Sequence, residues 1–291
     1  MKKSWIILFK LLTLMLFLYT CDCMKGGSRL EKEVFLGTGI TMVALPAGSF
    51  QMGHDYKHNR KLSEDINKYY PDEQPVHKVT LSAFQISSTE ITQFTYKSYM
   101  SVNPSSFSGD ENLPVTNVSA DDAIKFCNKL SESAKLEPCY DEKTGKCDFT
   151  KNGFRLPTEA EWEYACRAGS STLFNTGNTE SDLDSAGWYI GNSGGKPHPT
   201  ASKEPNAWGL YDLHGNVFEF CYDGFDETYS SGNYTQESVA NPTGHDNFNL
   251  RITRGGSWFS EPSDCRSAAR GCFWTGGGNP YTGFRVVRTI K

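Results

Sequence analysis

Two segments of the chain place apolar residues at the spacing of an α-helix. In "VTNVSADDAIKFCNKLSESA", Ser119 is a suitable N-cap residue, because its hydroxyl can accept a hydrogen bond from the first turn. In "FRLPTEAEWEYACRAG", Thr158 and Glu161 have the spacing of a capping box, and Gly169 is expected to end the helix. The residues predicted to point inward are Ala123, Ile124, Cys127 and Leu130 in the first helix and Trp162, Ala165 and Cys166 in the second.

Apolar and polar residues alternate near both ends of the sequence, which predicts β-strands there. The alternating segments are 40–53, 76–92, 250–258 and 283–290, and "TQFTYKSYM" continues the second of them as a short helix. Residues 54–75 are polar and are predicted to form an exposed loop, whereas 170–250 are predicted to be long loops with short strands. Early and late strands around helices indicate an α+β fold, with no domain boundary inside 38–291.

The first twenty residues have the pattern of an export signal. "MKKSWIILFKLLTLMLFLYTC" begins with two lysines, and its apolar run is short for a membrane span. It resembles a bacterial lipoprotein signal in which Cys21 carries the lipid, with Cys23 as a second candidate; a plain cleaved signal and an uncleaved anchor helix are the alternatives. We therefore expect a signal at 1–20, a tether at 21–37 and an exported lipoprotein at the outer-membrane surface.

The charge of the chain bears on its partners. The full sequence has a formal net charge of −5, and removal of 1–20 takes away three lysines and no acid, which leaves 26 basic residues against 34 acidic ones. An acidic protein repels the phosphate backbone, so we expect no nucleic-acid partner. The membrane is expected to be reached through the lipid anchor.

Seven cysteines follow Cys21 and Cys23, and none of them forms a CxxC pair or a zinc-binding spacing. Cys139 and Cys147 flank the turn-like segment "YDEKTGK", which favours a hairpin disulfide between them. Cys127 and Cys166 lie on apolar helix faces, so buried thiols are expected at both positions. Cys272 is either a partner of Cys265 or a contact residue.

Four ordered motifs resemble the formylglycine-generating-enzyme family, a branch of the C-type lectin fold. They are "RLPTEAEWEYACRAG", "NAWGLYDLHGNVFEFCYD", "RGGSW" and "GFRVVR", and "AGSFQMG", "ISSTEITQFTY" and "PVTNVSADDAIKFCNKLS" match the N-terminal half. The resemblance spans about 40–289 and implies one domain of this fold at 38–291. It specifies the fold more strongly than the activity, because function depends on the site.

Enzymes of this family oxidise a substrate cysteine with copper held by two cysteine thiolates, and soft thiolates suit Cu(I). Counting from "RGGS", the two corresponding positions are Ser260 and Cys265. A serine lacks the soft donor, so we expect no catalytic residues and no required cofactor. The iron-dependent relatives use a histidine cluster, and no such cluster is found among the six histidines.

The segment 254–288, called the tail below, resembles the C-terminal region of variable proteins that retroelements diversify. In that branch the residues between "RGGSW" and "GFRVVR" vary on one exposed face while the flanks hold the fold. The contact residues implied for this chain are Phe259, Ser260, Ser263, Asp264, Ala269, Gly271, Cys272, Phe273, Trp274, Asn279 and Tyr281.

Loops tolerate change when a scaffold fixes their ends. Buried aromatic rings and guanidinium groups that bond loop carbonyls are expected to do this at Arg254, Trp258, Arg266, Arg270, Phe284 and Arg285. Phe273, Trp274 and Tyr281 lie in or beside a glycine-rich stretch, and we expect their rings to be exposed. Rigid aromatic side chains supply contact area at a small entropic cost, as in antibody paratopes.

The motif "YDLHGNVFEF" resembles the calcium loop of the family. The resemblance assigns side-chain oxygens of Asp212 and Glu219 and backbone oxygens of Gly215 and Val217 to a structural calcium ion. In the alternative, Glu219 forms a salt bridge with a core arginine and Asn216 fixes the turn. Glu90 is expected to be structural.

Three functions remain open from the sequence. The first is a surface-anchored, non-catalytic protein that binds an extracellular protein or glycan through its tail. The second is a copper-dependent oxidase of the formylglycine-generating type or another exported enzyme of the family. The third is a structural component of an envelope complex.

Overall fold

A computed structural model describes residues 30–35, 39–54, 71–225, 238–245 and 249–290 of the chain. Its helices are α1 (Gln93–Met100), α2 (Ala120–Ser133), α3 (Glu159–Arg167) and α4 (Glu180–Ala186). Its strands are β1 (Lys32–Phe35), β2 (Ile40–Leu45), β3 (Gly48–Met52), β4 (His77–Leu81), β5 (Phe84–Ser87), β6 (Phe154–Arg155), β7 (Phe218–Gly224), β8 (Val239–Ala240), β9 (Leu250–Arg254), β10 (Arg270–Trp274), β11 (Thr282–Gly283) and β12 (Val287–Thr289). The mixture of helices and sheets confirms the α+β class.

The strands form three sheets, and the tail connects two of them. The first sheet has the order β1-β2-β5-β12-β6, the second β10-β9-β7-β11 and the third β3-β4-β8. β12 pairs in antiparallel fashion with both β5 and β6. The tail therefore leaves the second sheet at the end of β9, contributes β10 and β11 to it, and finishes inside the first sheet.

The predicted helix starts are confirmed. The side chains of Ser119 and Thr158 accept hydrogen bonds from the backbone N–H of Asp122 and Glu161, and both form capping boxes. The end of α3 comes one residue earlier than predicted, because Ala168 takes the left-handed conformation with φ 45°. Helix α4, which Thr179 caps, lies in the region that was predicted to be loops and short strands.

Two large apolar clusters form the core. One contains the inward face of α2 and packs around Phe126, whose ring meets that of Phe284 at 5.3 Å. The other surrounds Trp162 of α3 and includes residues of β2, β4 and β5. Burial of one large apolar side chain contributes about 1.5–3 kcal/mol, so these clusters dominate the stabilisation of the domain.

Two sequence predictions are wrong in part. The tether predicted at 21–37 does not extend through Lys32–Phe35, because these residues form β1 and pair with β2. The exposed loop predicted at 54–75 does not extend through its last residues, because Glu73 is buried in a short 3-10 helix, Pro71–Glu73. The predicted signal, Cys21 and Cys23 lie outside the described residues. Among those that are described, no helix is long and apolar enough to cross a membrane.

The thiols predicted to be buried are buried, and the predicted disulfide is not formed. Cys127 and Cys166 lie in the two apolar clusters. Cys139 and Cys147 are both free cysteines in this structure, and their thiols are hydrogen-bonded to each other. No bond joins Cys265 to Cys272, and Cys265 is buried in a third, smaller cluster.

Candidate binding face and the ion pairs beneath it

Three aromatic rings of the tail pack together, and we call Trp258, Phe259 and Tyr281 the aromatic face. The rings of Phe259 and Tyr281 are stacked with centroids 5.5 Å apart, and Trp258 lies 5.5 and 5.1 Å from them. Trp258 is buried, as predicted, and its indole N–H donates to the Pro280 carbonyl at 3.2 Å. Phe259 is 54% exposed. The buried ring of Trp258 therefore supports the rings of Phe259 and Tyr281, which reach solvent.

A second aromatic group lies on β10. The ring of Phe273 meets that of Phe218 at 5.6 Å and packs against the core, so Phe273 is half-buried rather than fully exposed. Trp274 is 69% exposed. The Phe218 N–H donates to the Tyr281 carbonyl at 2.8 Å, which connects this group to the aromatic face through the backbone.

Two residues predicted to contact a ligand are buried, and that prediction is wrong for them. Ser260 is 7% exposed, and its hydroxyl accepts a hydrogen bond from the Ser257 N–H at 3.0 Å. Ala269 is 5% exposed, and its carbonyl accepts from Arg254. Both positions belong to the frame of the tail, because a buried side chain cannot touch a ligand without rearrangement.

The other predicted contact residues are intermediate in exposure. Asn279 is tied to the domain by its carbonyl, which accepts from the Asn117 N–H at 2.9 Å, and its side chain accepts from the Tyr281 N–H. Asp264 lies in a 3-10 helix, and burial followed by the nearby charge of Glu261 raises its pKa. The half-buried residues are Ser263, Asp264, Gly271, Cys272, Phe273, Asn279 and Tyr281.

Arg254 is the first guanidinium that holds the tail from below. It is fully buried, forms an ion pair with Glu163, and donates to the carbonyls of Ala269 and Ser267. Burial opposes ionisation of Glu163, but the charges of Arg167 and Arg254 outweigh it and hold the pKa of this carboxyl below its usual value. The tail backbone is therefore fixed to α3 by a charged pair in the interior.

Arg266 and Arg270 repeat this arrangement further along the tail. Arg266 contacts both oxygens of Glu73, at 2.8 and 2.9 Å, and donates to the Ser263 carbonyl at 2.5 Å. Arg270 contacts both oxygens of Glu159, at 2.6 and 2.9 Å. Bidentate pairs of this kind fix geometry as well as charge. Burial lowers the pKa of Arg266 to about 10, which leaves it protonated at neutral pH.

The predicted bonds from tail arginines to loop carbonyls are confirmed, whereas of their acidic partners only Glu219 was anticipated, as the alternative to a calcium ligand. Arg285 donates to the carbonyls of Ser87 and Tyr211, at 3.1 and 2.8 Å. The partner carboxylates come from distant parts of the sequence, Glu73, Glu159, Glu163 and Glu219. Glu159 and Glu163 gave a sequence signal for buried ion pairs, because they are spaced i, i+4 and so share one face of a short helix that is buried throughout.

The donor set at the copper positions of the family does not fit that metal. The Ser260 hydroxyl is bonded within its own turn, and the Cys265 thiol is buried beside Gly256, where an added Cβ would approach the sulfur to 2.6 Å. His214 donates from Nδ1 to the Cys265 carbonyl and accepts at Nε2 from the Asn175 N–H, and burial lowers its pKa to about 4. One thiol and one hydroxyl do not supply the two soft donors that the chemistry requires.

The segment predicted to be a calcium loop instead has the geometry of the alternative, in which Glu219 forms a salt bridge with a core arginine. Both oxygens of Glu219 contact Arg285, at 2.6 and 2.7 Å, and one of them also accepts from the Trp162 indole. Asn216, with φ 63°, bridges Glu90 and the His198 N–H, which confirms that Glu90 is structural. A divalent cation at Glu219 would lie beside the positive guanidinium of Arg285 and would be repelled by it. The predicted ligands therefore do not fit a calcium site: Asp212, Gly215, Val217 and Glu219.

The charged form of Asp212 is disfavoured by its surroundings. One of its carboxylate oxygens accepts from the Ala201 N–H at 2.7 Å, and the other has no hydrogen-bond partner among the described residues. Burial raises its pKa to about 6, against the opposing effects of that hydrogen bond and of Arg285. Protonation, which neutralises the buried oxygen, relieves this group. Within the ranges given above, no three His, Cys, Asp or Glu side chains are arranged to hold a metal ion.

Comparisons with known proteins agree with this architecture. A chain described as chaperone protein LppX of Paenibacillus barcinonensis is 33% identical over 245 residues, which cover 72% of this chain and 82% of that protein. The formylglycine-generating enzyme of Streptomyces coelicolor is 28% identical, with 84% and 88% covered. The solved structure of Treponema denticola variable protein 1 superposes with a TM-score of 0.77 at 32% identity, covering 90% of this chain and 99% of that one. The model of the sulfatase-modifying factor enzyme 1-like domain matches residues 30–290, and the chain belongs to this family.

Proposed function

We propose that this protein is a non-catalytic recognition protein that binds its ligand through the tail. The observation that carries the proposal is the contrast between exposed Phe259 and Trp274 and the buried guanidinium–carboxylate pairs that fix the backbone beneath them. A face of rigid aromatic rings on a fixed backbone loses little entropy on binding. The same tail lacks the paired thiols of the copper enzymes.

Two relatives support this reading by their names. One is called a variable protein and the other a chaperone, neither name is that of an oxidase, and both resemble this chain over most of its length. Under this proposal the tail positions that face solvent set the specificity, while Ser260, Ala269 and the arginines hold the frame. The ligand is an extracellular protein or glycan, and no cofactor takes part.

We also propose that the domain is displayed outside the cell by a lipid on Cys21 or, failing that, Cys23. The basic and apolar pattern of 1–20 supports export, and the acidic balance of the chain argues against nucleic acid. Metabolic labelling with a fatty-acid analogue, followed by protease treatment of intact cells, tests this. A labelled protein that is cleaved by external protease supports display, whereas an unlabelled or protected protein contradicts it.

The binding proposal is tested with peptides selected against the purified protein from a phage-displayed random library, and in parallel with a glycan array. For a selected ligand, Phe259→Ala and Tyr281→Ala are expected to raise Kd at least about tenfold, which corresponds to about 1.4 kcal/mol. Phe94→Ala is the matched control, because Phe94 is 46% exposed and lies outside the tail. Equal loss in all three variants, or no loss in the tail variants, would contradict the proposal.

Variation at this locus gives a second test. Sequencing the gene from several isolates is expected to find substitutions at exposed and half-buried tail positions, with six frame residues unchanged: Ser260, Ala269, Arg254, Arg266, Arg270 and Arg285. Substitutions spread evenly over 38–291 would remove the basis for a diversifiable face.

The oxidase alternative draws on the similarity to formylglycine-generating enzymes. It predicts stoichiometric copper in the purified protein and oxygen uptake in the presence of a cysteine-containing peptide. Copper binding with turnover would overturn the non-catalytic proposal, whereas the absence of both after copper loading would support it.

A further inference from the structure

Cys139 and Cys147 form a pair of thiols at the base of a hairpin that lies outside the tail. Tyr140 and Cys147 are bridge partners on opposite arms of this hairpin. The Asp148 N–H donates to the Cys139 carbonyl at 2.8 Å, and the Asp141 N–H donates to the Lys146 carbonyl at 3.0 Å. These two bonds lie on either side of the Tyr140–Cys147 pair, so Cys139 is one residue away from the position opposite Cys147.

The thiols themselves are in contact. Each is the hydrogen-bond partner of the other, and this bond is the largest influence on both groups. It lowers the pKa of Cys139, with further help from the charge of Arg155, and raises the pKa of Cys147, so Cys139 is the thiol that ionises first. Thiolate character is what thiol–disulfide exchange requires.

One member of the pair is accessible to a reagent. Cys147 is half-buried, whereas Cys139 beside it is buried, as are Cys127, Cys166, Cys221 and Cys265. Burial raises the pKa of Cys127, Cys166 and Cys221, which keeps these thiols protonated and unreactive. Oxidation is therefore directed to the hairpin by exposure as well as by proximity.

We propose that Cys139 and Cys147 are an oxidation site that closes into an intramolecular disulfide when the protein meets a disulfide donor. One thiolate attacks the donor's sulfur–sulfur bond and forms a mixed disulfide, which releases the first donor thiol. The second cysteine attacks the mixed disulfide, forms the Cys139–Cys147 bond and releases the second donor thiol. The protein loses two electrons and two protons, and the donor is reduced to two thiols.

The bond would fix a contact between the hairpin and the sheet that carries the tail. Arg251, in β9, donates to the Gly145 carbonyl at 3.2 Å, and Asn128 bonds the Tyr140 backbone on the other arm. A covalent link at the base of the hairpin restricts the unfolded chain and so stabilises this docking. The proposal does not depend on what the tail binds.

The test uses the purified protein, reduced and then equilibrated with oxidised glutathione in native buffer. Peptide mapping without reduction is expected to find peptides containing Cys139 and Cys147 linked and two hydrogens lighter than the reduced pair. The melting temperature of the oxidised protein is expected to rise by roughly 5 °C, and dithiothreitol should reverse the shift.

Two variants keep the result interpretable. Cys147→Ser is expected to abolish both the link and the temperature shift, whereas Cys272→Ser, at the other half-exposed cysteine, should leave both unchanged. A link from Cys139 to Cys127, a stable glutathione adduct on Cys147, or two unmodified thiols after equilibration would each overturn the proposal.

Discussion

The outer and inner sides of the tail are built from different chemistry. The outer side presents the rings of Phe259 and Trp274, which contribute little to the fold because much of their surface stays in water. The inner side consists of guanidinium groups paired with carboxylates from distant segments, and each pair is almost fully buried. Substitution is therefore expected to reduce stability little on the outer side and much more on the inner side. A recognition surface can change only where its side chains are not part of the frame.

Arg254→Met should produce the largest loss of stability. It leaves Glu163 buried without one of its two cationic partners and removes the bonds to the carbonyls of Ala269 and Ser267. Loss of one partner of a buried pair costs about 3–5 kcal/mol in the free energy of unfolding, measured by urea denaturation. Arg288→Met is the control, because its 3.8 Å contact with Glu33 is partly exposed and should cost less than about 1 kcal/mol. Equal losses of stability in the two variants would contradict the greater cost expected for the buried pair.

Asp212→Asn should change how stability depends on pH. The folded-state pKa of Asp212 is raised to about 6, so the folded protein binds a proton that the unfolded chain releases near pH 4. Stability from this group is therefore present at low pH and is lost as pH rises from about 4 to 6, by roughly 2–3 kcal/mol. The variant should show a correspondingly smaller fall between these pH values. An unchanged slope would mean that Asp212 is ionised in the fold throughout.

Ala269→Leu tests whether a buried tail position belongs to the frame. The extra carbons have no space beside the Arg254 contact, and overpacking of this kind costs about 1–3 kcal/mol. The measurement is the urea midpoint, with Ala201→Leu as a control at an exposed alanine outside the tail. Ala201 has a left-handed backbone, so the control substitution itself costs a little stability through backbone strain. Only a larger loss of stability at Ala269 therefore supports its place in the frame.

Trp274→Ala should have the smallest effect on stability. Its side chain is 69% exposed, and surface substitutions of this kind usually change the free energy of unfolding by no more than about 0.5 kcal/mol. The same urea experiment measures it. A loss above about 1.5 kcal/mol would show that this ring supports the fold and would place it with the frame.

Local signals in the sequence were sufficient for three of the four helices described and for the arginine of each ion pair in the tail. Ser119 and Thr158 identified helix starts, because capping depends on residues only three apart. The tail arginines were identifiable because guanidinium groups can bond the carbonyls of an irregular segment. Apart from Glu219, their partners were not, since Glu73, for example, lies in a polar stretch and is separated from Arg266 by almost two hundred positions.

The irregular backbone of the tail explains the remaining errors. In a helix or strand, a fixed period tells which residues point inward, but 255–269 has no such period. Ser260 and Ala269 were therefore grouped with their exposed neighbours on residue type alone. The resemblance of "YDLHGNVFEF" to a calcium loop misled for a similar reason, because the same acidic residue serves a cation in one case and Arg285 in the other.

The insertion of β12 between β5 and β6 has a consequence for protein synthesis. The last strand described, β12, joins two strands made much earlier, so a message with a premature stop codon before it yields a chain with an open first sheet. Such a chain cannot complete its core, and truncation of the tail is therefore coupled to loss of the fold.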